Sequence, residues 1–125
     1  MWRQVCVVVL AVIIIGGFGI VGQARASNLV DGNELNDRYK NWEITSSSPS
    51  SIDPVVISKG MLFVGYAQGV GDSMDPILCT PSGVTGGQVF AIIGNYLKAH
   101  PEKWNESGSE IIFKALIEAY PCPKK

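Results

Sequence analysis

Three helix starts are written into the chain between residues 53 and 110, and they leave little room for a sheet. Asp53-Pro54 offers a capping acid and then a proline at the first helical position, where a missing N–H loses no intrahelical bond. Thr85 with Gln88, and Ser107 with Glu110, fit the capping box, in which two orphan donors are satisfied reciprocally. Beyond each box apolar residues recur at helical spacing: Val89, Ile92, Ile93, Tyr96 and Leu97, then Ile111, Ile112, Ala115, Leu116 and Ala119. Pro101 and Pro121 end the two runs. Upstream, "DGNELNDRYKNWE" from Asp31 to Glu43 is polar, with Leu35, Tyr39 and Trp42 on one face, a short amphipathic helix. The Ser/Pro-rich loop "TSSSPSSIDP" leads to the helix opened by Asp53, which runs through "VVISKGMLFVGYAQGVGDSM". Val55-Val56-Ile57 leaves a strand as the alternative at its start. No stretch alternates convincingly and no internal repeat occurs. The expected fold is all-α, a small bundle of four or five helices.

The N-terminus bears on how much chain is left to fold. "MWRQVCVVVLAVIIIGGFGIVGQARAS" has an early positive charge at Arg3, an uncharged stretch from Val5 to Gly22, and Ala24-Arg25-Ala26 before Ser27. A basic start, an apolar core and small residues at the cut make a secretory signal. Residues 1–26 are therefore read as a signal peptide and residues 27–125 as the mature domain, located in the periplasm. The alternative is an uncleaved anchor, because roughly 18 apolar residues can just span a bilayer. Gly16, Gly17, Gly19 and Gly22 weaken that helix toward its end. Cys6 begins the apolar run, where no lipoprotein anchor would sit, and leaves with the signal.

Cleavage removes Arg3 and Arg25 from ten basic residues, leaving eight against eleven acidic ones, a formal charge of −3. No basic patch or interleaved aromatic-basic run argues for nucleic acid, and no membrane contact is expected after cleavage. The mature chain keeps two cysteines, Cys79 and Cys122, an even count in an oxidising compartment, so pairing is expected. Closing a loop of about 44 residues is worth roughly 4 kcal/mol in the chain-entropy model, less any strain. In a domain of 99 residues, where a lone core is marginal, that is much of the net stability.

Candidate chemistry thins out on inspection. A Cys/His hydrolase needs a free thiolate near His100, the only histidine, but that residue falls in the last turn of a helix, where a cation complements the dipole. Asp72 and Asp75 in "GVGDSMDP" lack the twelve-residue calcium-loop pattern and are expected to cap or leave a helix. "GYAQGVG" neither follows a convincing strand nor carries a Walker lysine. Gly65 and Gly69, four apart, are expected to let another helix approach closely. With no acid–base pair, metal cluster or cofactor box, the expectation is a non-enzyme that needs no cofactor.

Three segments in order, "GYAQGVGDSM", "LCTPSGVTGGQVFAIIGNYLKAHPE" and "ESGSEIIFKALIEAYPC", resemble the Tai/Rap immunity family of periplasmic proteins that neutralise type VI secretion amidase effectors. The matching residues are Gly65, Tyr66 and Gly69, then Cys79, Pro81, Gly83 and Thr85, then Tyr96, His100 and Pro101, and finally Pro121 and Cys122. They cover about the last two thirds of the mature chain and are mostly framework. The resemblance implies a small helical domain that blocks the groove of a peptidoglycan amidase, with a homodimer as a further implied state. Members commonly carry a second cysteine pair, at positions that fall here on Tyr39 and Phe63. The expectation is that these two rings meet in its place. The loop "PEKWNESGS", with Lys103, Trp104, Asn105 and Glu106, is the candidate partner contact, Trp104 having the makings of an anchor. In the alternative reading, Trp104 folds back onto the helix pair. Two other functions remain open: a periplasmic helical binding or envelope-stress module without an amidase partner, and a membrane-tethered accessory subunit if the signal stays attached.

Overall fold

The computed structural model describes residues 29–47 and 52–124. The expected signal peptide, Cys6 and residues 48–51 of the Ser/Pro-rich loop lie outside the described residues. Four helices follow in order: α1 (Gly32–Ser47), α2 (Pro54–Met74), α3 (Gly86–Ala99) and α4 (Gly108–Ala119). One-turn 3-10 helices at Asp75–Ile77 and Pro101–Lys103 follow α2 and α3. Among the described residues there is no strand, only an isolated antiparallel bridge of Asp31 with Ser107. No described helix is long and apolar enough to cross a membrane. The fold is all-α with one disulfide, Cys79 to Cys122, whose Cα atoms are 4.9 Å apart.

Local chemistry explains the helix starts. Asp53 accepts the Val55 N–H at 2.7 Å and Pro54 opens the first turn, so Val55-Val56-Ile57 enters a helix. The Thr85 box is complete: Gln88 N–H donates to Thr85 Oγ1 at 3.3 Å, and Thr85 N–H to Gln88 Oε1 at 2.8 Å. The Ser107 box is half made. Glu110 N–H reaches Ser107 Oγ at 3.2 Å, but the Glu110 carboxylate turns to Lys114 at 3.0 Å, one turn along α4. α1 runs four residues past the expected Glu43, with Thr45 and Ser47 hydroxyls donating back to the Asn41 and Glu43 carbonyls at 2.8 Å each.

The core lies where the four helices converge, around the fully buried Leu35, Phe63, Ile93, Leu97, Ile112 and Leu116. Phe90 and Gly94 join it although the spacing pointed to Val89 and Ile92, which are half-buried; Ala119 is exposed. Tyr39 and Phe63 do meet, edge to face, with centroids 5.3 Å apart. Trp42 and Phe90 complete a cluster of four rings, Trp42–Phe90 at 5.4 Å and Phe63–Phe90 at 5.6 Å, which joins α1, α2 and α3. Such pairs add roughly 0.5–1.5 kcal/mol each beyond area burial.

The close approaches use other glycines than expected. At Gly94 a Cβ would fall inside the Tyr39 ring, and at Gly60 it would stand 3.1 Å from the Trp42 Cα of α1. At Gly65 and Gly69 it would meet nothing within 4 Å. The approach of another helix expected at these two glycines is not made by any described residue of the chain: both are exposed.

Candidate partner-binding surface

Of the elements described, α2 has the least polar exterior. The twelve residues between Lys59 and Asp72 carry no charge. Phe63 and Ala67 turn inward, so the residues offset by half a turn face solvent. Met61 is 63% exposed and Leu62 51%, with Val55 and Ile57 exposed a turn or more earlier. Gly65 and Gly69 continue the row toward Gln68 and Asp72. Glycine inside a helix is destabilising by about 0.5–1 kcal/mol relative to alanine. Among the described residues nothing occupies the space above them, so no packing among those residues offsets that loss. The result is a strip that is apolar at its Met61–Leu62 end, bare backbone at Gly65 and Gly69, and polar where it reaches Gln68 and Asp72.

The loop between α3 and α4 is more self-contained. Trp104 is half-buried, and its indole N–H donates at 2.9 Å to the Leu97 carbonyl, one of the orphan acceptors at the end of α3. Its own carbonyl takes the Asn33 backbone and side-chain N–H groups at 3.1 and 3.0 Å, and Lys40 sits 5.9 Å over the ring. This is the folded-back arrangement. Lys103 Nζ donates to Tyr96 Oη at 3.0 Å, a bond that raises its pKa. Glu106 pairs with Lys114 at 2.8 Å; this bond first, then the Glu110 partner, raises the Lys114 pKa strongly. Asn105 alone of the four is exposed; the other three are half-buried.

The other residues singled out by sequence serve the frame. Gly83 has φ +87°, a conformation that favours glycine, in the turn between the disulfide and α3. His100 closes α3, its N–H on the Tyr96 carbonyl and its ring 4.4 Å from the Tyr96 ring. Its Nδ1 lies 3.1 Å from Glu102, whose carboxyl is held below the ordinary range by its own backbone N–H first and by His100 second. Tyr66 is half-buried against the core, while Pro81 and Pro101 shape turns and Pro121 precedes Cys122. Cys79 and Cys122 are bonded to each other, so neither thiol is available to His100.

A sequence profile of the Rap1a immunity proteins matches residues 31–122. The chain belongs to the Rap1a immunity protein family. No curated protein matches it. The matched span opens at Asp31, the bridge partner of Ser107, closes at the disulfide cysteine Cys122, and takes in all four helices. A Rap1a immunity protein acts against a secreted effector, so its working part is a surface shaped for another protein. In this Rap1a protein the uncovered strip on α2 has that character, and the loop from Pro101 to Ser107 is largely committed to its own fold. The sequence did contain the signal, a charge-free run holding two glycines four apart, but it could not say which side of the helix was covered.

Proposed function

We propose that this Rap1a protein is exported by residues 1–26, cut after Ala26, and held in the periplasm, where it binds and blocks a peptidoglycan amidase delivered by type VI secretion. Family membership supports the immunity role. The amidase, the secretion route and the compartment rest on the leader and on the ordered motifs from Gly65 to Cys122. The observation that carries the binding mode is the strip of Met61, Leu62, Gly65 and Gly69, which no part of the described chain covers. Bare backbone at Gly65 and Gly69 admits close approach, and the apolar end at Met61 and Leu62 offers anchors. The protein acts by occupancy, without turnover or cofactor: its cysteines are joined and its histidine holds Glu102.

The test is protection. An amidase of this class directed to the periplasm should lyse cells, and the full chain should rescue them. A chain lacking residues 1–26 should fail to rescue, while binding the amidase stoichiometrically in vitro. Met61→Glu with Leu62→Glu should lower affinity by about 30-fold or more, as expected for a central anchor, without unfolding the domain. Full protection by that double variant would remove α2 from the interface; absence of any complex with such amidases would remove the amidase. A second copy on the same strip would appear as a concentration-dependent dimer that effector dissolves.

A further inference from the structure

Where α2 ends, its outer strip runs into a cleft of about 250 Å³. The floor is apolar, made by Ala67, Leu78, Val89, Phe90 and Leu116. Gln68, Asp72, Asp75 and Thr80 stand at its mouth, with Tyr120 also lining it. No lysine, arginine or histidine is among the lining residues. The volume falls below the roughly 300–1,000 Å³ of sites for drug-sized ligands and suits a single side chain.

The two aspartates are electrostatically misplaced for stability. The C-terminal end of a helix carries partial negative charge and favours cations. α2 is 21 residues long, its last turn holds no basic residue, Asp72 lies in that turn, and Asp75 caps it. Most other carboxylates find partners, as Asp37 does with Lys59, Glu43 with Lys98 and Glu106 with Lys114, while Asp31 and Asp53 accept backbone N–H groups at helix starts and Glu118 stands alone on α4 among the described residues. Asp72 and Asp75 are exposed and take part in no ion pair among the described residues. An apolar floor under two unpaired acids at a helix C-terminus is complementary to one kind of group, a cation on an apolar stem.

We infer that this cleft receives a basic side chain, arginine in preference to lysine, from the protein that docks on α2. The stem lies on the floor and the guanidinium reaches Asp72 and Asp75. Arginine is preferred because its planar head binds carboxylates in two-point fashion and stacks on rings, and Phe90 and Tyr120 are both in the lining. The source of the side chain rests on the immunity reading; the selectivity of the cleft does not.

The test uses the mature chain and a capped Gly-Arg-Gly peptide, followed by amide NMR shifts. Shifts should gather at Gln68, Asp72, Leu78, Gly86 and Tyr120, with the lysine peptide weaker and the uncharged citrulline peptide silent. Asp72→Asn with Asp75→Asn should abolish them while raising the Tm by about 2–8 °C, because charge repelled by the helix end is removed. Equal shifts with citrulline, no shifts with arginine, or shifts unchanged in the double variant would each overturn the inference. So would shifts that emerge only after Lys124 and Lys125 are deleted, since the chain's own tail would then be the occupant. In complex with an effector, the same double variant should weaken binding about 10-fold or more and flatten its salt dependence. A positive peptide result with no effector complex would count against the immunity reading alone.

Discussion

The two faces of α2 are built from similar residues to opposite ends. On the inner face Phe63 is fully buried in a four-ring cluster, and Gly60 lets the backbone of α1 come within side-chain distance. On the outer face Met61 and Leu62 stand in solvent, and Gly65 and Gly69 have open space above them. The inner glycine makes room for a neighbour that is present. The outer pair makes room for one that the described residues do not supply. The same residue type thus reads as packing on one side and as recognition on the other, and substitution separates the two.

The largest effect is expected inside. Phe63→Ala removes the ring shared by α1, α2 and α3 and should destabilise the domain by about 3–5 kcal/mol in denaturant titrations. Amide exchange should rise first in α1, which is fastened to α2 and α3 by packing and exposed ion pairs with no crosslink of its own. Next comes the disulfide, which ties the turn after α2 to the tail beyond α4. Reduction should lower stability by about 2–4 kcal/mol while leaving the four-ring cluster intact by near-ultraviolet dichroism. Loss of that signal on reduction would mean that crosslink and packing are not separable.

Glycine substitutions sharpen the contrast most. Gly60→Ala forces Trp42 and Thr45 of α1 to shift and should destabilise by about 1–3 kcal/mol. Gly65→Ala and Gly69→Ala, the same change on the other face, should each stabilise by about 0.5–1 kcal/mol and weaken the effector complex. Thermal unfolding gives the signs directly. A destabilising Gly65→Ala would break the comparison.

The smallest effect is acid-dependent. Glu43 accepts bonds from Lys98 at 2.7 Å and from the Tyr39 hydroxyl at 2.9 Å. The Lys98 bond first, and the Tyr39 bond after it, hold its pKa below the ordinary value of 4.5, against a partial opposing contribution from burial. A depressed carboxylate stabilises the folded state above the unfolded pKa and loses that contribution as pH falls through the folded one. The α1–α3 contact should therefore loosen only below about pH 4.5, and modestly, because Lys98 and Glu43 are both well exposed. Glu43→Gln should remove the pH dependence of α1 exchange in that range.

What sequence made legible was local. Capping at Asp53 and Thr85 and the stops at Pro101 and Pro121 need only neighbours in the chain, and the helices follow them closely. The Tyr39–Phe63 contact was reached through the family resemblance and then found in the packing. Phe90 and Gly94 escaped because α3 is enclosed from more than one side, so its buried arc is wider than a single amphipathic stripe. Trp104 left two readings open until the free Leu97 carbonyl gave its indole an internal acceptor. The outer face of α2 was harder still, since glycines announce that space is wanted and not who will use it.

Hydrogen exchange on residues 27–125, with and without the proposed amidase effector bound, reads most directly which face docks. Protection should be gained along α2 from Met61 to Asp72 and at the cleft around Leu78, with the Pro101–Ser107 loop little changed. Protection confined to that loop, with α2 exchanging as in the free protein, would contradict docking on α2.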